Sequence, residues 1–188
     1  MRQQHSQHDD QFRLFEAPFM LDKPMPGGFS YKEDFLSVAE EAELLEIFKT
    51  LPFEHAVHEG YEAHRRIVGY GMRGGPLPGF LLPMRERAAA FVGIAAETLD
   101  SALISEYTAG AAIGWHRDKP TVGHVVGVSL GATCTFRLRR KNGDGWDRFS
   151  VPARGRSVYC MAGESRRDWQ HSIPAVEGLR YSVTWRDF

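Results

Sequence analysis

Residues 180–186 read Arg180-Tyr-Ser-Val-Thr-Trp-Arg186, and polar and apolar side chains alternate along this stretch. Successive side chains of a β-strand point to opposite faces, so the alternation predicts a strand with two unlike faces. The apolar face, which is typical of a core, consists of Tyr181, Val183 and Trp185. The polar face consists of Arg180, Ser182, Thr184 and Arg186.

The polar face carries two cations, Arg180 and Arg186, on a strand whose other side belongs in a core. Burying an unpaired charge costs several kcal/mol. A small dicarboxylate would offset that cost, because a guanidinium group matches a carboxylate through two parallel hydrogen bonds. The alternative is a surface strand with two solvated arginines. The stretch therefore predicts either a dicarboxylate site or an exposed strand.

Further strand-like runs, separated by turns, fill the sequence before this stretch. Lys141-Asn-Gly-Asp-Gly145 is a strong hairpin turn signal between two of them. The predicted strands are 64–72, 102–107, 113–118, 125–130, 133–139, 148–151, 157–161 and 181–185. Many short strands after an N-terminal helical region indicate an α+β, mainly β fold, either a β-sandwich or a double-sheet jelly roll.

Two helices are predicted, with the strand 64–72 between them and the other strands after them. A third helix is possible, and we expect the helices to brace one face of the sheet. The first follows the capping box of Ser37 and Glu40, runs to about Leu51, and buries Ala42, Leu45 and Phe48. The second covers about 82–95, because apolar residues recur there at helical spacing and Pro83 suits a first turn.

The length of 188 residues suits one domain, which we assign to residues 13–188 after a polar, disordered tail at 1–12. No run of about 18 apolar residues predicts a membrane span, and the first residues lack the apolar core of a signal peptide. Cys134 and Cys160 form no C-x-x-C pair and are interpreted as buried reduced thiols. These features predict a cytoplasmic protein, which we expect to be a monomer.

Charge is unevenly distributed although the net charge is only −1. Residues 1–112 contain ten Lys and Arg against 17 Asp and Glu, a net charge of −7. Residues 113–188 contain 13 against seven, a net charge of +6. This asymmetry suggests an anionic partner for the second half, unless those arginines are used inside the protein.

A possible metal site begins with Gly114-Trp-His-Arg-Asp118. In a strand, His116 and Asp118 share a face, so an imidazole and a carboxylate can converge on one ion. His171, 53 residues later, is the candidate third ligand. Two histidines and one carboxylate that leave positions open form the facial triad of non-heme iron(II) oxygenases. The alternative is that Asp118 only orients His116 or pairs with Lys119.

Together these residues resemble the AlkB family of iron(II)/2-oxoglutarate dioxygenases. The resemblance covers about residues 28–188 and is strongest after 103. It rests on the triad with the 180–186 stretch, and on Glu106-Tyr107, Ala109-Gly110, Val128-Ser-Leu-Gly131 and Gly163-Glu-Ser-Arg166.

The resemblance implies a double-stranded β-helix, or jelly roll, with iron(II), 2-oxoglutarate and dioxygen as cofactor and co-substrates. It implies that His116, Asp118 and His171 bind iron. Arg180 and Tyr107 would bind the distal carboxylate of 2-oxoglutarate, and Arg186 would lie near its chelating end.

Three positions depart from the family's common pattern. Ser105 and Ser182 stand where asparagines are typical, and because serine is shorter we expect their contacts to 2-oxoglutarate to run through water. Pro120 stands where the best-known repair enzyme has an acidic residue that helps to read the damaged base. The base preference of that enzyme therefore does not transfer to this chain.

The substrate implied by the resemblance is an alkylated base in DNA or RNA, demethylated with release of formaldehyde. Basic residues that suit nucleic acid are Arg65, Arg66, Arg137, Arg139, Arg140, Lys141, Arg166 and Arg167, and Trp115 and Tyr70 are possible stacking residues. The same chemistry on a protein side chain, a catalytically silent binding module, and a zinc hydrolase are the alternatives. A zinc hydrolase would leave Arg180 and Arg186 without a role.

Overall fold

The structure is a computed structural model that describes residues 24–58, 61–72 and 74–187. The predicted tail 1–12 and the first residues of the predicted domain lie outside the described residues. The strands are β1 Phe29–Lys32, β2 Glu54–His58, β3 Tyr61–Gly71, β4 Ser101–Tyr107, β5 Ile113–His116, β6 Val125–Gly131, β7 Cys134–Asn142, β8 Gly145–Ala153, β9 Val158–Met161, β10 Gln170–Ile173 and β11 Arg180–Arg186. The α-helices are α1 Val38–Phe48, α2 Leu82–Val92 and α3 Gly163–Arg167, and 3-10 turns occur at Gly79–Leu81 and Ala96–Thr98.

The strands form two antiparallel sheets. The larger sheet has seven strands in the order β1-β9-β6-β11-β4-β3-β2, and the smaller has four in the order β5-β10-β7-β8. An apolar core joins their facing sides, with Tyr107 and Tyr159 from the larger sheet against Phe136 and Leu138 from the smaller. The predicted mainly β, two-sheet architecture is therefore present.

The helices α1 and α2 pack on the outer face of the larger sheet, as predicted. They share a second core with the apolar side of β11, where Tyr181, Val183 and Trp185 are buried. The predicted capping box is also present, because the Ser37 amide donates to Glu40 at 2.7 Å and the Ser37 hydroxyl accepts from the Glu40 amide at 3.2 Å. The cap fixes where α1 begins.

The helix details differ from the prediction in three ways. Helix α1 ends at Phe48, and the buried position near its start is Leu44, whereas Ala42 is exposed. Helix α2 ends at Val92 because Gly93 adopts a left-handed conformation (φ 75°), which closes the helix three residues early. Helix α3 lies between β9 and β10, so the third helix is not N-terminal.

The main difference in the strands is that the structure contains three that were not predicted. The unpredicted strands β1, β2 and β10 have only four or five residues each, too short to show a clear period. The β7–β8 hairpin closes with Asn142 opposite Gly145, so its turn is tighter than the predicted 141–145. Strand β5 stops at His116, and Asp118 therefore lies in the following loop rather than in a strand.

Strand β11 lies in the middle of the larger sheet, between β4 and β6. Its polar side chains point toward the smaller sheet, and Arg180 is 0% exposed. The exposed-strand alternative for this stretch is therefore wrong. Among the described residues, no helix combines the length and the apolar character needed to cross a membrane.

Candidate active site

The three predicted metal ligands meet at one end of the smaller sheet. Strands β5 and β10 are neighbours, and His116 lies directly opposite His171. The centroids of their rings are 4.1 Å apart. The Nε2 atom of His171 is 3.7 Å from Oδ2 of Asp118. Residues 53 positions apart in the sequence are thus in contact.

Asp118 is held in place by Arg186 of β11. Nε and Nη2 of Arg186 donate to Oδ1 of Asp118 at 3.2 and 3.0 Å. The other oxygen, Oδ2, is buried and has no hydrogen-bond partner within the described residues. Burial raises the pKa of Asp118, but the charge of Arg186 and its hydrogen bonds to the carboxylate act against burial, and this pKa lies below the usual value. The carboxylate is therefore ionised, with one oxygen free to bind a cation.

The two imidazoles have features that suit metal binding. Nδ1 of His116 is 2.9 Å from the Gly114 carbonyl oxygen, which can only accept, so Nδ1 carries a proton and Nε2 is the nitrogen left to face a metal. Burial, with the charge of His116, lowers the pKa of His171 to about 3. A neutral imidazole is the form that binds a metal.

In the described part of the chain, no three His, Cys, Asp or Glu side chains already have the arrangement of a metal site. Here the Asp118 carboxylate is turned toward Arg186, and the two imidazole rings contact each other at a tilt of 53°. The donor set nonetheless fits iron(II), because a carboxylate oxygen that is buried without a partner in the described residues lies 3.7 Å from His171, whose ring contacts that of His116.

Arg180 is a buried cation with unused donors. Its Nε donates to the Ser129 hydroxyl at 3.1 Å, and its guanidinium carbon lies 4.8 Å from the centre of the Tyr107 ring. Its Nη1 and Nη2 are buried without a partner in the described residues. A buried guanidinium with two free nitrogens suits an anion, because an anion would restore the hydrogen bonds that burial removed.

A row of three serine side chains crosses the larger sheet beside Arg180. Ser182 of β11 lies opposite Ser105 of β4 on one side and opposite Ser129 of β6 on the other. All three are almost completely buried. Ser105 and Ser182 were predicted from the sequence, whereas the contact of Ser129 was missed. Its signal was a polar residue within the otherwise apolar run 125–130.

A cavity of about 40 Å³ connects the histidines with β11. Its lining includes the predicted residues Ser105, Tyr107, His116, His171, Ser182 and Arg186. Phe136, Tyr159 and Arg65 also line it and were not predicted to do so. A cavity of this size holds only one or a few waters, so a dicarboxylate enters only when lining side chains move apart.

Several predicted nucleic-acid residues are used inside the protein instead. Arg66 forms an ion pair with buried Glu106 at 2.6 Å. Arg140 binds Asp147 at 2.9 Å and Glu164 at 2.5 Å. Arg166 is buried and donates to the carbonyl of Lys119. The prediction for Arg166 is wrong, because a buried guanidinium group is not available to a phosphate. Arg66 and Arg140 are paired but partly exposed, and their contact with nucleic acid stays a prediction.

The two predicted stacking residues, Tyr70 and Trp115, lie in different parts of the structure. Tyr70 packs against the core beneath α1 and α2, so it is not placed for stacking on a base. Trp115 points away from the cavity and contacts Arg137 and Arg139 on the opposite face of the smaller sheet. Pro120 lies in an exposed turn just after Asp118.

Residues 47–183 match the family described as the 2OG-Fe(II) oxygenase superfamily, and the chain belongs to that family. Within it, the relatives are AlkB homologues, which confirms the resemblance seen in the sequence. The Arabidopsis thaliana protein "Alkylated DNA repair protein ALKBH8 homolog" is 29% identical over 169 residues, covering 75% of this chain and 49% of that protein. The human "Alpha-ketoglutarate-dependent dioxygenase alkB homolog 3" is 34% identical over 73 residues, covering 33% and 26%. The chain thus spans at most about half the length of these relatives.

Solved structures confirm the jelly-roll fold. The structure of OsALKBH1 has a TM-score of 0.67 at 17% identity and covers 88% of this chain and 100% of that one. A prolyl-4-hydroxylase from Pseudomonas putida has a TM-score of 0.57 at 17% identity, covering 85% and 92%. Similarity at this identity is a similarity of fold.

Proposed function

We propose that this protein is an iron(II)- and 2-oxoglutarate-dependent dioxygenase that demethylates alkylated bases in DNA or RNA. The observation that carries the proposal is the buried guanidinium of Arg180, which has two nitrogens without a partner in the described residues. It packs against the ring of Tyr107, and Tyr107 lines the cavity that reaches His116 and His171. A metal hydrolase has no use for such a cation, whereas an enzyme that binds a dicarboxylate beside its metal requires one.

In this proposal His116, Asp118 and His171 hold iron(II). When bound, iron(II) with 2-oxoglutarate and dioxygen supplies the oxidation that hydroxylates a C–H bond, while 2-oxoglutarate becomes succinate and carbon dioxide. An N-methyl group hydroxylated in this way is released as formaldehyde. Arg180 and Tyr107 bind the distal carboxylate of 2-oxoglutarate, with Ser105 and Ser182 beside it.

The side chains around the ligands fix their protonation and orientation. Arg186 holds Oδ1 of Asp118, which leaves Oδ2 directed toward His171. The Gly114 carbonyl holds the proton of His116 on Nδ1. The apolar lining, including Phe136, keeps water away from the oxidation. These contacts support a site whose ligands are oriented by their neighbours and complete their arrangement when iron binds.

The choice of nucleic acid as substrate rests on two observations. The Arabidopsis thaliana relative is named as an alkylated DNA repair protein. The second half of the chain, which holds the candidate site, has the positive charge expected for a polyanionic partner. The single domain 13–188, the monomeric state and the cytoplasmic location stay predictions.

The test is formaldehyde release from methylated substrates. Purified protein with iron(II), 2-oxoglutarate and ascorbate is incubated with N-methylated DNA and RNA oligonucleotides and with a methylated histone peptide. We expect formaldehyde and succinate in equal amounts with an oligonucleotide, and neither with His171→Ala. Turnover of the peptide with no turnover of any oligonucleotide would replace nucleic acid by protein as the substrate.

A further inference from the structure

The outer face of the smaller sheet carries cations and tryptophans that the candidate site does not use. We call it the cation–tryptophan face, and it consists of Trp115, Arg137, Arg139, Lys141, Trp146 and Arg148. Arg139 lies opposite Arg148, and Lys141 lies opposite Trp146, in the β7–β8 ladder. The intervening residue Leu138 is buried in the core between the sheets. The cations therefore point outward, away from the cavity.

Arg139 is the centre of this face. Its guanidinium carbon lies 4.3 Å from the ring centre of Trp115 and 4.3 Å from that of Trp146. Its Nε donates to the Gln170 side chain at 2.8 Å. A guanidinium held between two indoles keeps its plane fixed while its other nitrogens stay available, and little side-chain freedom is left to lose on binding an anion.

Similar contacts hold the neighbouring cations. Arg137 lies 5.0 Å from the Trp115 ring centre, and its Nε donates to Ser172 at 3.1 Å. Lys141 lies 5.3 Å from the Trp146 ring centre. Trp146 itself is 38% exposed, which is unusual for a residue of that size. The face thus offers both fixed positive charge and accessible aromatic surface.

Carboxylates are scarce on these four strands. The only acidic residue in them is Asp147, whose two oxygens accept from Arg140 and from Asn142, each at 2.9 Å. Desolvation, with the charges of Arg148 and Arg137, lowers the pKa of Arg139. Like charges gathered on one face, with no acid interleaved among them, call for an anionic partner.

We propose that the cation–tryptophan face binds the sugar-phosphate backbone of a single-stranded nucleic acid, and this deepens the proposed function on which it rests. Arg137, Arg139 and Lys141 are alternate residues of β7, so the Cα atoms of consecutive cations in this row are about 6.7 Å apart. Successive phosphates of an extended single strand have a similar spacing. Exposed indole surface suits unpaired bases, which stack on aromatic side chains.

The face adjoins the candidate active site through β5. Trp115 and His116 are neighbours in β5, and their side chains lie on opposite faces of the smaller sheet. Strand β7 lies two strands from β5, a distance of about 10 Å. A single strand bound along the cations therefore runs about 10 Å from the edge of the sheet at β5, a distance that about two nucleotides can span to turn a base toward the site.

The test uses two double variants with the same change of charge. Lys141→Ala/Arg148→Ala removes two exposed cations from the face. Lys49→Ala/Arg154→Ala removes two exposed cations elsewhere, Lys49 just after the end of α1 and Arg154 just after the end of β8. Binding of a fluorescein-labelled single-stranded 12-mer is measured by anisotropy between 50 and 200 mM NaCl, with melting temperatures as the check on folding.

We expect the wild-type protein to bind the single strand more tightly than the matching duplex. The face variant should bind roughly fivefold or more weakly at 50 mM NaCl, with the slope of log K against log salt smaller by about 1.4. The control variant should stay within twofold. Equal weakening of both variants, or tighter binding of the duplex, would overturn the proposal.

A second measurement separates this proposal from the proposed function. Succinate formation in the absence of nucleic acid does not involve the face, so it should be the same in the wild type and both variants. If methylated oligonucleotides yield formaldehyde but the face variant binds them normally, the surface is wrong and the activity stands. If the face variant binds poorly and no oligonucleotide yields formaldehyde, the surface stands and the demethylase activity is wrong.

Discussion

The substitution Arg180→Met tests whether the buried cation lowers the stability of the free protein while it strengthens the binding of 2-oxoglutarate. In the absence of 2-oxoglutarate, Arg180 contributes one hydrogen bond to Ser129 and a contact with the Tyr107 ring. These are worth about 1.5–3 kcal/mol and about 2 kcal/mol. Keeping the charge buried with two unpartnered nitrogens costs several kcal/mol. We therefore expect the melting temperature of the free protein to stay the same or to rise.

Binding of 2-oxoglutarate should change in the opposite direction. Each charge-assisted hydrogen bond lost is worth about 1.5–3 kcal/mol. Loss of two weakens binding at least a hundredfold, since about 1.4 kcal/mol is a factor of ten. At a 2-oxoglutarate concentration of 100 times the wild-type Kd, the ligand stabilises the wild type by about 2.7 kcal/mol and the variant by about 0.4 kcal/mol.

The assay is thermal unfolding with and without 2-oxoglutarate, in the presence of manganese(II) in place of iron. The wild type should gain roughly 5–10 °C and the variant about 1 °C. Arg167→Met, at an exposed position of α3, is the matched control and should behave like the wild type. An equal gain in Arg180→Met and the wild type, with an unchanged KM for 2-oxoglutarate, would refute the assignment of Arg180.

Three further predictions concern the metal ligands, the thiols and pH. Asp118→Ala should lower iron(II) affinity and abolish succinate formation without unfolding the protein, as measured by calorimetry and circular dichroism; retained turnover would exclude Asp118 as a ligand. Cys160, whose pKa burial raises to about 12, should resist iodoacetamide at pH 8 until guanidinium is added, as followed by mass spectrometry. Burial raises the pKa of Asp187, but hydrogen bonds from His124 outweigh burial and lower it, so its stabilising contribution is present above about pH 4 and is lost as pH falls through the lowered pKa. Asp187→Asn should then lose less free energy of unfolding than the wild type between pH 7 and pH 3 in urea titrations.

The alternation at 180–186 was the most informative part of the sequence. It predicted correctly that Trp185 belongs to a core and that Arg180 lies on the other face of the strand. The alternation of side chains identifies such a strand and assigns its two faces, because each face is in contact with a different layer of the structure. The two-sheet fold could be predicted for the same reason, because the long strands are clearly patterned. The family could be predicted because the triad and the arginines of 180–186 occur together, and the family match confirmed it.

Features that depend on distant partners were not predictable in this way. Arg66 is paired with Glu106, forty residues away, and nothing in the local sequence of either residue shows it. The different surroundings of the adjacent residues Arg139 and Arg140 have the same cause. Only the fold brings Glu164 to Arg140, so the sequence could not show that this arginine is ion-paired. The ligand and co-substrate roles of the site residues stay predictions, although the structure brings those residues together.

The two halves of the candidate site differ in how firmly they are anchored. Strand β11, with Arg180 and Arg186, is hydrogen-bonded on both sides, whereas β5 has β10 as its one neighbour in the described part of the chain. Amide hydrogens of 113–116 should therefore exchange with solvent faster than those of 180–186. The anion-binding half is a fixed frame, while His116 and Asp118 have room to settle around an ion of slightly different radius.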